Sequence, residues 1–305
     1  MALFVNTNVS SINGQRNLTN ATNNLNTTYQ RLSSGMRINS AKDDAAGLQI
    51  SDRLTSQING LNQGNRNTND GIALAQTAEG AMDEMTSMLQ RIRTLAVQAS
   101  NGTNNAKDRD ALQQEVTQLS NEITRIACQT KFGGEQVLAK GDVGELVTST
   151  GEVTIQVGAY NGDTLKMKFY SNGFTLSAIA SNAKSTTIAD TAANADGLIK
   201  ANNFARFSVS SQTDASASIS GVDKLLETLD KQRAHLGAMQ NRMESSIRNQ
   251  SNVSMNVSDA RARIRDTDFA EESAKLSQQT IIQQAASSML TQANSRPQLA
   301  LSLLG

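Results

Sequence analysis

Mostly apolar residues recur at helical spacing near both ends of this chain. The steps alternate between four and three residues, which is the a/d pattern of a coiled-coil seam. Because a single apolar stripe needs a partner surface to bury it, the pattern predicts that the two ends of the chain pair with each other. The positions are Leu18, Thr22, Leu25, Tyr29, Leu32 and Met36 near the start, and Val253, Val257, Ala260 and Ile264 near the end.

The same spacing predicts further helices between these seams. One long helix is expected from soon after Ser40 to about residue 99, and another covers about 112 to 128. The SNGTNN run at 100–105 is a turn signal, so these two helices should be antiparallel neighbours. Later patterns predict a helix from Val222 to Ile264 and another from Phe269 to Asn294, with Pro297 marking its end.

The period changes in the middle of the chain. Apolar residues alternate over 153–157 and again over 165–169, and Asn161-Gly162-Asp163 between them is a turn signal, so a β-hairpin is expected at about 150–170. Residues 171–220 show little pattern and are expected to form an exposed insertion. The predicted fold is therefore mainly α, a long antiparallel helical bundle or coiled coil built from both chain ends, with a small β-hairpin and a short exposed middle insertion.

The composition excludes several classes of function. Of 305 residues, 28 are basic and 28 acidic, and aspartates flank the arginine cluster at 261–265, so no nucleic-acid partner is expected. No run approaches the roughly eighteen apolar residues of a membrane span, so no membrane partner is expected. With one histidine, His235, and one cysteine, Cys128, the chain cannot supply a four-ligand zinc site, and no phosphate-binding glycine loop is present. No catalytic, cofactor-binding or metal-binding residue is predicted, and the chain is not expected to be an enzyme.

Several long motifs, in the same order at both ends, resemble those of bacterial flagellins. Near the start they are LSSGMRINSAKDDAAGLQISDRL at 32–54, RNTNDGIALAQTAEG at 66–80 and LQRIRTLAVQ at 89–98. Near the end they are LGAMQNRM at 236–243, ARARIRDTDFA at 260–270 and a tail that finishes QANSRPQLALSLLG. The resemblance covers about the first 140 and the last 85 residues. A small residue, often glycine, is usual in flagellins where Cys128 stands, and a left-handed helix cap at this position would make Cys128→Gly neutral or slightly stabilising.

This resemblance implies a secreted, extracellular subunit that self-assembles into the helical filament of the bacterial flagellum. The alternative is a hook–filament junction protein, which resembles flagellin at both ends. The implied domains are an inner core of paired terminal helices (1–43 and 262–305), an outer helical core with the hairpin (44–170 and 221–261) and a variable insertion (171–220). The implied partners are other copies of the chain, a flagellar export chaperone, the cap and hook-associated proteins, and the Toll-like receptor by which hosts sense flagellin.

Two sets of residues are the candidate interaction sites. The first is expected at subunit interfaces and comprises Leu18, Leu25, Leu32, Ile281, Leu299, Leu301, Leu303 and Leu304. The second is Arg91, Leu95 and Glu115, where the first two share a helix face and the third lies on the next helix. The pattern alone favours an ordinary solvated helix face for this second set. By resemblance, it would contact the host receptor and be buried between subunits in the filament.

Overall fold

The computed structural model describes residues 7–139, 146–148, 150–183, 197–201 and 204–302. They form two compact units, one built from 1–59 with 253–305 and the other from 60–252. The described residues are mainly helical, as predicted. The helices are α1 Val9–Ser34, α2 Ala45–Ser100, α3 Ala106–Gln129, α4 Leu176–Asn182, α5 Gln212–Arg265 and α6 Phe269–Ser302. The strands are β1 Lys131–Phe132, β2 Glu135–Gln136, β3 Glu152–Gln156, β4 Thr164–Lys168, β5 Leu198–Ala201 and β6 Phe204–Phe207.

In the first unit, α1 and α6 lie antiparallel. The Asn8 side chain donates a hydrogen bond to the Ala293 carbonyl at 2.8 Å, and at the other end of α1 the Arg31 guanidinium lies 3.7 Å from the Glu272 carboxylate. The pairing of the two chain ends is thus confirmed, but the predicted partner seam at 253–264 was wrong, because it lies on α5 and the helix that pairs with α1 is α6. Local signals fix the ends of α1, because the Asn8 side chain caps its first turn and Gly35 ends it with a left-handed φ of 70°.

The buried face of α1 differs from the predicted seam at alternate positions. Ala21, Leu25 and Thr28 are buried, whereas Tyr29 is 54% exposed. The prediction that the seam passes through Leu25 is confirmed, but the prediction that Tyr29 belongs to the seam is wrong. From Leu25, steps of three and four lead equally well to Thr28 or Tyr29, so the spacing alone does not choose between them. The small Ala21 and Thr28 permit closer contact with a partner helix than Tyr29 would.

In the second unit, α3 and the part of α5 up to residue 252 both run antiparallel to α2. Arg109 on α3 donates to the Ala99 carbonyl at 2.9 Å, and Arg91 pairs with Glu115 further from the turn. On the α5 side, Arg233 lies 2.9 Å from Asp83, and Arg93 lies 2.7 Å from Asp223. Between these polar contacts lies a core whose fully buried members include Met82, Met85, Leu89, Ile92, Ile123, Val222, Leu225 and Leu229.

The predicted β-hairpin is confirmed as β3 and β4, which pair antiparallel from Glu152 opposite Lys168 to Gln156 opposite Thr164. Two other antiparallel pairs were not predicted, β1 with β2 and β5 with β6. In the first, Gly133 and Gly134 both have positive φ and form a tight turn between two-residue strands, which are too short to show alternation. The second begins just after residues outside the described set.

The prediction that 171–220 is exposed is wrong for much of its described part. Phe174, Leu176, Ile179, Phe207 and Val209 are all fully or almost fully buried. These apolar residues occur in groups too short to show a period, and they bury in the second unit because several short elements pack there together.

One predicted helix end and one predicted helix cap were also wrong. α6 continues through Pro297 to Ser302, so the proline does not end it. α3 extends to Gln129, and the next residue, Thr130, has extended backbone with φ −68° and ψ 115°. Cys128 therefore lies inside α3, and the left-handed cap on which its predicted glycine preference depended is absent.

Candidate functional site

The paired helices α1 and α6 carry apolar side chains that are exposed among the described residues. Ile281 and Met289 on α6 are each 66% exposed, and Ile282 and Ile12 are also exposed. A groove of about 1100 Å³ runs beside them, lined by small and polar residues such as Asn13, Gly14 and Ala286. Exposed apolar side chains clustered on one helix pair are typical of a surface that another molecule covers.

The residues predicted at subunit interfaces fall into three groups. Ile281 lies on this exposed surface. Leu18 and Leu32 are half-buried, and Leu25 is only 9% exposed, so Leu25 offers almost no surface to a second molecule in this conformation. The side chains of Leu299 and Leu301 lie outside the described residues, as do Leu303 and Leu304 entirely.

The structure brings together two of the three residues predicted to share a receptor-contacting surface. The Arg91 Nη2 atom lies 2.7 Å from Glu115 Oε1, and its Nε donates to the same oxygen at 2.8 Å, with both side chains about half-exposed. Leu95 is only 2% exposed, so the prediction that it lies at or beside the exposed side was wrong. Since α2 packs against both α3 and α5, its buried face is wider than one seam and includes Leu95 beside Ile92 and Ala96.

A glycine-lined track along α2, which the sequence did not reveal, receives the β3–β4 hairpin. The track is formed by Gly60, Gly64 and Gly71. A Cβ atom added at these positions would overlap Ala159, Val157 and Ile155, respectively. Asn67 on the same face donates from Nδ2 to the Gln156 carbonyl at 3.0 Å. Spacings of four and seven place these residues on one helix face, so the hairpin backbone can approach the helix closely.

Neighbouring donors favour the charged form of Glu152 on the hairpin and of Asp43 between α1 and α2. On the hairpin, hydrogen bonds from Lys168 and then Lys166, each 3.0 Å from a Glu152 oxygen, lower the pKa of Glu152 below its usual value. Between α1 and α2, the backbone N–H groups of Ser40 and Asn39 lower the pKa of Asp43. Asp44 beside it caps α2 by accepting from the Gly47 N–H at 2.9 Å.

No constellation for catalysis emerges from these contacts. Within the described ranges, no group of three or more His, Cys, Asp or Glu residues is placed to hold a metal ion. His235 is exposed on α5. None of the helices in the described part of the chain is long and apolar enough to cross a membrane.

Comparison with known protein families matches both ends of the chain. Residues 5–142 match the family model of the bacterial flagellin N-terminal helical region, and residues 219–304 match that of the bacterial flagellin C-terminal helical region. These two matches include α1 to α3 at one end and most of α5 with α6 at the other.

Relatives that align with this chain over its whole length are also flagellins. The chain is 40% identical to flagellin D of Vibrio anguillarum and 38% identical to flagellin D of Vibrio cholerae, each alignment covering 100% of both chains. Both alignments extend over 377 positions, so these relatives carry residues that this shorter chain lacks. Among solved structures, the fold is shared with a flagellar hook-associated protein from Vibrio parahaemolyticus at 16% identity and a TM-score of 0.55, over 73% of this chain and 100% of that one.

Proposed function

The chain belongs to the bacterial flagellin family, the structural subunits of the flagellar filament, and we propose that it polymerises through the exposed apolar surface of α1 and α6. Filament formation follows from family membership at both ends of the chain. The observation that carries the proposed surface is the exposure of Ile281 and Met289 on a helix pair already closed on its other side. Burying a large apolar side chain contributes roughly 1.5–3 kcal/mol, so a repeated contact of this kind would stabilise a helical lattice.

The test exploits the difference between exposed apolar and exposed polar positions on one helix. Ile281→Gln removes the apolar contact without creating a cavity, because the side chain faces solvent in the single chain. Gln284→Ala, at an exposed position one turn away, is the matched control. Sedimentation after seeded polymerisation should show a raised critical concentration for Ile281→Gln and little change for Gln284→Ala. Equal polymerisation of both variants and the unmodified chain would exclude Ile281 from the interface.

The leucine-rich tail is the second part of the proposed interface. Leu299, Leu301, Leu303 and Leu304 are four large apolar residues within six positions. Removing residues 299–305 should abolish polymerisation and leave the second unit folded, since that unit is built from 60–252. Normal filaments from the shortened chain would count against a role for the tail.

The remaining partners follow from family membership and are part of the same proposal. We infer that an export chaperone, the cap and the hook-associated proteins contact the chain on its way to the filament outside the cell. We also infer that a host Toll-like receptor binds the surface around Arg91 and Glu115. Leu95, which is buried, would support this surface from beneath and would not contact the receptor directly. Co-purification of the monomer with the receptor ectodomain tests the second inference.

The hook–filament junction protein remains the weaker candidate. A shared fold at 16% identity carries no assignment of function, whereas flagellins match this chain over its whole length at about 40% identity. The amount of the chain in sheared filaments distinguishes the two, because a filament subunit should be the major component and a junction protein a trace.

A further inference from the structure

We propose that Asn161, in the turn of the β3–β4 hairpin, is a site of spontaneous deamidation that converts it to aspartate and isoaspartate. The sequence contains five Asn-Gly pairs, beginning at Asn13, Asn59, Asn101, Asn161 and Asn172. Glycine offers no Cβ to shield its own amide nitrogen, so each pair is a chemical candidate for ring closure. The structure distinguishes among them by how each asparagine side chain and each glycine N–H is held.

Asn161 is the least restrained of the five. Both Asn161 and Gly162 are exposed, and Gly162 has φ +94° with no heavy atom within 4 Å of the position where a Cβ would lie. In the described part of the chain, no hydrogen bond holds the Asn161 side chain, and the Gly162 N–H donates none to the backbone. The nucleophilic nitrogen and the side-chain carbonyl carbon are therefore both accessible to water and free to meet.

The other four pairs are held by hydrogen bonds. Gly14 and Gly60 lie within α1 and α2, where the backbone N–H takes part in helical hydrogen bonding. The Gly173 N–H donates to the Tyr170 carbonyl at 2.9 Å. At the fifth pair, the Asn101 Oδ1 atom accepts from the Thr103 N–H at 3.4 Å. The Asn101 carbonyl also accepts from the Asn104 N–H at 3.3 Å and from the Arg109 guanidinium at 3.2 Å. Ring closure rotates the Asn-Gly peptide, so at each of these four pairs it disturbs a hydrogen bond of that peptide.

The reaction needs only hydroxide and water. Hydroxide removes the proton from the Gly162 amide nitrogen, and this nitrogen attacks the Asn161 Cγ atom. The new C–N bond closes a five-membered imide, and the side-chain nitrogen leaves as ammonia. Water then opens either C–N bond of the imide, giving aspartate when the new bond breaks and isoaspartate when the original backbone bond breaks.

Isoaspartate would alter the hairpin turn. It places an additional methylene in the backbone between positions 161 and 162, inside the loop that the Asp163 N–H closes by donating to the Tyr160 carbonyl at 3.2 Å. The new carboxylate also lies beside Asp163, so two like charges share one short turn. Chains modified at Asn161 should therefore have a loosened hairpin.

The experiment measures deamidation by peptide mass spectrometry after incubation of the full-length chain at mildly alkaline pH, once folded and once in denaturant. The tryptic peptide 141–166 contains Asn161 as its sole asparagine, so the site is unambiguous. In the folded chain, we expect conversion at Asn161 several-fold faster than at Asn172 or Asn101. In denaturant, the rates at the five Asn-Gly pairs should become similar.

Two variants complete the test. Asn161→Gln should remove most isoaspartate that an isoaspartyl methyltransferase detects in the folded chain, whereas Asn172→Gln should leave that signal unchanged. Equal rates at all five pairs in the folded chain, or faster conversion at Asn172, would overturn the proposal. None of these readouts depends on filament assembly, so they stand apart from the test of the polymerisation surface.

Discussion

Arg91 on α2 and Glu115 on α3 form an ion pair with a separation of 2.7 Å, and both side chains remain about half-exposed. An exposed pair of this kind contributes only about 0–1 kcal/mol to folding. Its two charges are therefore available to a partner protein with little change to the stability of the chain. The same helix carries a second, similar ion pair, in which Arg93 lies 2.7 Å from Asp223 on α5 and both side chains are about half-exposed.

We expect Arg91→Ala to lower activation of the Toll-like receptor by the monomer and also to weaken polymerisation, because the resemblance to flagellins implies that one surface serves both contacts. Arg93→Ala is the control, since it removes an equivalent ion pair from another face of the helix. A reporter-cell assay beside a sedimentation assay measures the two effects. If both arginine variants behave alike, or if Arg91→Ala changes neither readout, the surface is an ordinary solvated helix face.

Gly64→Ala should destabilise the second unit by about 1–3 kcal/mol, the usual cost of inserting a methyl group into a packed contact. Its Cβ would overlap the Val157 carbonyl, which belongs to the backbone and cannot rotate away. Gly80→Ala and Gly237→Ala are the controls, because no heavy atom lies within 4 Å of either Cβ position. These two should stabilise their helices by up to about 1 kcal/mol. Thermal unfolding compares all three, and stabilisation by Gly64→Ala would show that the hairpin does not rest on this track.

Cys128→Gly should destabilise α3 by some tenths to about 1 kcal/mol, because glycine inside a helix loses more conformational freedom on folding than other residues. This reverses the expectation from the sequence, since Cys128 lies inside α3 and not at a left-handed cap. Cys128→Ala keeps the Cβ atom and should stay close to the unmodified chain. Chemical denaturation followed by circular dichroism measures the difference, and equal stability of the glycine and alanine variants would contradict it.

Asp43 should make the loop between α1 and α2 sensitive to acid. Hydrogen bonds from the backbone N–H groups of Ser40 and then Asn39 lower its pKa from the usual 3.8, so the folded loop favours the charged carboxylate. The resulting stabilisation is fully present above about pH 3.8 and is lost as the pH falls through the lowered pKa of the folded state. Asp43→Asn should therefore have a lower melting temperature than the unmodified chain near neutral pH, and this difference in melting temperature should narrow in acid. The exposed Asp52→Asn serves as the control, and a gap that stays constant with pH would contradict the mechanism.

The sequence by itself determined the helices, their antiparallel pairing and the family. Long segments with a consistent spacing of three and four residues bury a continuous face in almost any arrangement, so the helical regions and the pairing of the two chain ends could be predicted from period alone. Period did not identify α6 as the partner of α1, since the predicted seam at 253–264 lies on α5. The β3–β4 hairpin was equally predictable, because its alternation and its Asn161-Gly162 turn are local signals. The family followed from long motifs that stand in the same order at both ends.

Only the tertiary structure decided which residues on those helices face inward. Leu95 is buried because α2 packs against two helices, and no local pattern indicates how many neighbours a helix has. In the sequence, the glycines of α2 indicate only a weakened helix. The structure shows that the hairpin lies against Gly64. Phe174 and Ile179 look like part of an exposed insertion because their neighbours are polar. In each case, burial depends on residues far away in the chain, and a single sequence carries no record of those contacts.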